Sequence, residues 1–220
     1  MIWAWVVTTA SAEPAPPVVS QMHARFAALT TARDAVIQGK LADAKAAVGP
    51  LTSPDPIDTF PAAWKPWLTK VELEAKGLAG APDLAAASVA VARVAAACAE
   101  CHDANDGGPR VAAARDVPTQ KWSSTDNMPL HRWASDWMWT GLLANDDDAW
   151  NRGAAELDNQ PLALRFDKAP PTTGQRELEQ LVYVIANKAL ETDAGAERAS
   201  LYGSLLGTCT QCHLQRGVKP

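Results

Sequence analysis

The four cysteines of this 220-residue chain constrain it more than any other feature. They fall as Cys98-Ala-Glu-Cys101-His102 and Cys209-Thr-Gln-Cys212-His213, with none outside these two motifs. On a helix, residues three and four apart share a face, so each motif presents two thiols and an imidazole together. Thiols at that spacing can add to the two vinyl groups of one haem edge, while the following imidazole turns under the ring to bind iron. Two disulfides, or one four-cysteine zinc site, would use the cysteines equally well. Neither accounts for a histidine directly after both second cysteines in a chain with four histidines. The sequence therefore predicts two covalently attached haem c groups, held by Cys98, Cys101, Cys209 and Cys212, with His102 and His213 as proximal iron ligands.

Alanine dominates an apolar content of 47%, and strand-building runs are scarce, so the expected fold is all-α. Helices are expected at about Val18–Gln38, Leu41–Val48, Ala62–Leu78 and Asp83–His102, then at Met128–Ala144, Asp147–Leu157, Gln175–Thr192 and Gly195–His213. Gly49-Pro50 reads as a helix end, Ser53-Pro-Asp-Pro56 as a loop, and residues 159–174, with three prolines, as a longer one. Asp146-Asp-Asp148 reads as a helix N-terminus, where acidic groups stabilise exposed amides. The plan runs twice, with the cysteines 111 residues apart (98 to 209) and Arg25-Phe-Ala27 matching Arg132-Trp-Ala134, which points to an internal duplication. The predicted organisation is a signal remnant and linker at 1–17, a first haem-binding four-helix domain at 18–105, a linker at 106–125 and a second such domain at 126–220.

The apolar run Met1–Val7, the small residues that follow and the cluster Glu13-Pro-Ala-Pro-Pro17 read like the tail of a secretory signal cleaved after Ala12. A basic n-region is missing, so either the true start lies upstream or the run is a chance apolar N-terminus. It is shorter than the ~20 residues a spanning helix needs, and no other segment is expected to come close. A soluble periplasmic or secreted protein is the expectation. The net charge of −5 and pI near 5.4 argue against nucleic acid or an anionic membrane surface as partner.

The placement of the motifs carries a resemblance. In class I cytochromes c the motif lies near the N-terminus with the distal methionine far downstream, whereas only seven residues follow His213 here. Class II c-type cytochromes, the cytochrome c-prime type, are four-helix bundles whose motif ends the last helix, and the chain resembles them in a tandem dihaem form. In such a bundle the N-terminal turns of the first helix lie beside the motif. Those turns hold Met22 and His23 in the first half, Met128 and His131 in the second. Met22 shares a helical stripe with Phe26, Leu29, Arg33 and Val36, a mostly apolar and haem-facing reading. Met128 precedes Pro129, which disfavours a helical Met128. Low-spin class II members carry a methionine early in the first helix, which implies Met22 and Met128 as distal iron ligands, with His23 and His131 as the alternatives.

Two haems with both axial positions filled would make an electron carrier rather than an enzyme, serving redox partner proteins. An open distal site would instead make a sensor or scavenger of nitric oxide or carbon monoxide, and a dihaem peroxidase is the remaining alternative. The nine tryptophans read as packing around haem or between halves, and Arg216 and Lys219 as partners for a propionate. Class II bundles pair through their first two helices. A homodimer and an internal pairing of the tandem halves are both compatible with the sequence.

Overall fold

The structure, a computed structural model, describes residues 17–52, 60–109, 128–159, 170–193 and 195–217. The expected signal remnant, the proline loop at 53–56, residues 110–125 of the linker, the centre of the long loop at 160–169 and Lys219 lie outside the described residues. Every regular element among those described is helical, with no strand, so the fold is all-α. In order these are α1 (Pro17–Ile37), α2 (Leu41–Ala47), α3 (Gly49–Thr52), a 3-10 turn (Ala62–Trp64), α4 (Lys65–Ala79), α5 (Leu84–Ala104), α6 (Met128–Ala144), α7 (Asp147–Asn159), α8 (Thr173–Leu190) and α9 (Gly195–Arg216). α2 ends just before Gly49-Pro50, as expected, and the pair also opens the single turn of α3, because proline at a second helical position gives up only an N–H that has no partner there.

Local chemistry sets the helix ends. Asp83 caps α5 by accepting from the Ala86 N–H at 2.8 Å. Asp146 does the same for α7 through the Ala149 N–H at 2.7 Å, as the acidic triplet predicts. At α8, Thr172 and Gln175 exchange side-chain and backbone hydrogen bonds in a capping box. The opening helices of the two halves stop in the same way: Gly39 and Asn145 take positive φ of 74° and 47°. In each case the next residue closes the turn, Lys40 N–H donating to Ala35 and Asp146 N–H to Gly141, both at 2.9 Å. These positions are 106 apart (39 to 145, 40 to 146), and the same offset relates Met22 to Met128. The motif helices begin at Leu84 and Gly195, 111 apart, like the cysteines.

The halves share one hydrophobic core, running from Leu29, Val36 and Leu78 through Val91 and Val94 to Leu142, Trp150, Ile185, Leu205 and Leu206. They meet chiefly through the motif helices α5 and α9, with further contacts of α1 on α9 and of α6 on α5. This differs from pairing through the first two helices. Glycine makes the approach close, since a Cβ at Gly203 would sit 3.0 Å from Val89 Cα. Within the second half, a Cβ at Gly141 would lie 2.4 Å from the Trp150 backbone nitrogen, and one at Gly153 equally near the Ala134 carbonyl oxygen. Trp150, fully buried, donates its indole N–H to Ala189 O at 2.8 Å and receives the Arg198 guanidinium on its face. Trp139 stacks on Tyr202 and Trp133 meets Trp137 edge-on, in keeping with a packing role.

One expectation needs correcting. α5 is long and apolar enough, by length and composition, to cross a membrane, so a second segment does come close to a span. More than half of it is buried inside the fold, and its alanines and valines are the small residues that α4 and α9 pack against.

The glycine contacts make a paired prediction. Gly153→Ala should destabilise the chain by about 1–3 kcal/mol or more, because backbone on both sides must move. Gly77→Ala, in α4 with open space around it, should stabilise by about 0.5–1 kcal/mol. Urea denaturation of the two variants checks both signs.

Candidate functional site

Each cysteine motif occupies the C-terminal turns of a long helix, α5 or α9. All four thiols are free. Burial pushes the pKa of Cys98 and Cys209 up to about 12 and raises those of Cys101 and Cys212, so the sulfurs are held as neutral thiols. Among the described residues no three His, Cys, Asp or Glu side chains gather as a metal-holding group. The four-cysteine zinc arrangement is therefore not assembled.

The histidines that end the motifs are held in the same way, and by the opposite half. His213 on α9 bonds through Nδ1 to the Ile37 carbonyl at the end of α1, at 3.0 Å. His102 on α5 bonds through Nδ1 to the Leu143 carbonyl at the end of α6, at 3.2 Å. Ile37 and Leu143 are again 106 apart, and each lies fifteen residues beyond the methionine of its own helix (22 to 37, 128 to 143). Neighbouring contacts repeat the exchange. Thr210 donates to Val36 O at 2.7 Å and Gly39 packs on Leu214, while Asn145 donates to Asp103 at 2.6 Å. The loop after the first motif adds a lid: at Gly108, with φ of 107°, a Cβ would strike the His102 ring at 2.6 Å.

A carbonyl can only accept, so in both bonds the ring nitrogen must donate. In the neutral ring that makes Nδ1 the protonated nitrogen and leaves Nε2 with its lone pair, the form in which imidazole binds a metal.

Beside the second motif lies a cavity of about 380 Å³. Cys209, Cys212 and His213 line it from α9, Met128 and His131 from the first turns of α6, and Arg33 and Ile37 from the last turns of α1. Leu157, Leu178 and Val182 supply apolar wall. The structure thus brings both expected distal candidates of the second half to the second motif. His131 is largely buried, its Nε2 has no hydrogen-bond partner, and burial lowers its pKa to about 4. Arg216, expected near a propionate, also lines the cavity, with Arg132.

At the first motif, the charge of Arg25 acts on both Cys98 and Cys101, which puts the N-terminal half of α1 beside its own motif. Met22 lies one turn before Arg25 on the same face and is half-buried, whereas His23 is exposed. Phe26, grouped with Met22 on the sequence, is 50% exposed instead. The inward stripe runs through Arg25, Leu29, Ala32 and Val36, and the Arg25 guanidinium lies over the Phe60 ring at 5.7 Å.

Sequence reasoning missed the two carbonyls and Arg33. Arg33 is 4% exposed, spans the halves by pairing with Asp34 at 2.7 Å and with Asp136 of α6 at 2.9 Å, and lies over Trp139. Burial works against its charge, but Tyr202, Asp34 and Asp136 together raise its pKa. The matching helix-ending turns at Gly39 and Asn145 were the available signal for the carbonyls.

Compared with known protein families, with curated proteins and with solved structures, the chain matches none.

Tyr202, fully buried behind the second motif, gives a pH prediction. Its hydroxyl donates to Ser135 O at 3.2 Å, and burial pushes its pKa up to about 12, against about 10 in an unfolded chain. Between pH 10 and 12 the unfolded chain releases a proton that the folded one keeps, so stability falls as pH rises. Tyr202→Phe should remove about 1.4 kcal/mol per pH unit from that slope and cost about 1 kcal/mol at neutral pH. Denaturant melts of both proteins from pH 8 to 12 check it.

Proposed function

We propose that the chain is a dihaem c-type cytochrome that carries electrons between redox partner proteins in the periplasm or outside the cell. In this reading Cys98 and Cys101 hold one haem by thioether bonds, Cys209 and Cys212 the other, and His102 and His213 are the proximal iron ligands. The observation that carries it is the pair of equivalent histidine–carbonyl bonds, which leave Nε2 of each motif histidine free to donate to iron. The largely apolar cavity beside Cys209, Cys212 and His213 fits the edge of a porphyrin, and its arginines fit propionates.

Haem, when bound, supplies a reversible ferric–ferrous couple. The chain's own residues supply the rest. The Ile37 and Leu143 carbonyls orient the proximal rings and raise their basicity as ligands. On the other face of each haem, Met22 and Met128 from the first turns of α1 and α6, or the neighbouring histidines, would supply the second iron ligand. The shared core limits rearrangement between oxidation states. We read the halves, 18–105 and 126–220, as duplicated four-helix units of the class II type.

Carbon monoxide tests the reading. The oxidised holoprotein should take up one electron at each of its two haems and, once reduced, leave its spectrum unchanged under carbon monoxide, because no axial position would be open. A full carbon monoxide shift at either haem would favour gas binding, and turnover with peroxide would favour a peroxidase.

A further inference from the structure

We infer that the distal iron ligand of the second site is His131 rather than Met128, so that the two haems are chemically unequal. The inference rests on the dihaem reading and names one ligand of that site.

His131 and Met128 lie one turn apart on α6 and both line the cavity beside His213. Their situations differ. The His131 Nε2 is buried and finds no partner, a costly condition for a polar group unless something binds it. A metal in that cavity would bind it, as none of the other described side chains does. Besides Cys209, Cys212 and His213 of the motif, the titratable and charged groups that face the cavity from the packed elements are Arg33 and Asp34 of α1, Arg132 and Asp136 of α6, Glu179 of α8 and Arg216 of α9. The Arg33–Asp34–Asp136 set is paired within itself.

The duplication sharpens the contrast. At the offset of 106 that relates both helix-ending turns and both proximal carbonyls, Met128 matches Met22, but His131 matches Arg25. An arginine does not ligate iron, and His23, the histidine of α1, is exposed. Methionine is thus the ligand the first site offers, whereas the second site offers an imidazole whose Nε2 has no other partner. Methionine opposite histidine raises a haem potential relative to two histidines. The first haem is then the high-potential one and the second the low-potential one, which gives an electron a direction inside the chain.

The test uses the full chain matured with haem. Mass spectrometry first counts haems, and fewer than two would overturn the dihaem reading itself. With two present, the ferric protein should show two low-spin signals by electron paramagnetic resonance and a methionine–iron absorption band of one haem's intensity. His131→Ala should convert half of the low-spin signal to high-spin and leave that band intact, and added imidazole should restore the low-spin form. Met128→Ala should change neither. If His131→Ala does not accumulate, His131→Met serves, with an expected doubling of the methionine band and a rise of the lower of two redox waves. The inference is overturned if Met128→Ala makes one haem high-spin, if the wild-type band already has two haems' intensity, or if either His131 variant leaves spin state, band and potentials unchanged.

Discussion

The structure turns on where the opening helices end. α1 ends at Ile37 and α6 at Ala144, and one carbonyl from the last turn of each, Ile37 O and Leu143 O, is presented to the motif histidine of the other half. A helix C-terminus carries partial negative charge, so the bond to an imidazole N–H is favourable beyond its geometry. One interaction thereby fixes the ring tautomer, the end of the helix and the relation between the halves.

From that exchange the rest of the packing follows. The motif helices α5 and α9 must lie against each other for each to reach across, and small residues let them: Gly203 over Val89, Gly207 beside Ser88, and the alanines of α5 throughout. Each opening helix is then stretched past both sites, its first turns near its own motif and its last turns at the other. Arg33 and Asp136 tie the two opening helices together across the second site.

Much of this was legible in the sequence, and for physical reasons. Helices that announce themselves with Asp83, Thr172 or the acidic triplet, and that stop at glycine or asparagine, were found within three residues at each end. The cysteine motifs are read from local spacing alone, and their place at the end of a long helix was also legible. The apolar run of α5 was underestimated: its alanines and valines give it the length and hydropathy of a span, and in the fold they fill a close helix–helix contact. Least legible was the exchange between halves. Backbone carbonyls have no sequence signature, and matching Arg25-Phe-Ala27 to Arg132-Trp-Ala134 gave an offset of 107 where the turns at Gly39 and Asn145 give 106. The difference decides whether His131 has a counterpart in Arg25 or in Ala24, and whether the methionines match.

In the proposed reading, each site would hold a planar group at one edge by two sulfurs and from one face by an imidazole. The acidic surface charge of the chain, which propionates would deepen, favours partners with neutral or basic faces. The most direct measurement is the intact mass of protein produced with haem-attachment machinery. The account predicts a chain heavier by two haems, with each addition mapped by peptide digestion to Cys98–Cys101 and Cys209–Cys212. An unmodified chain, or one with zinc or disulfides at those cysteines, would contradict it.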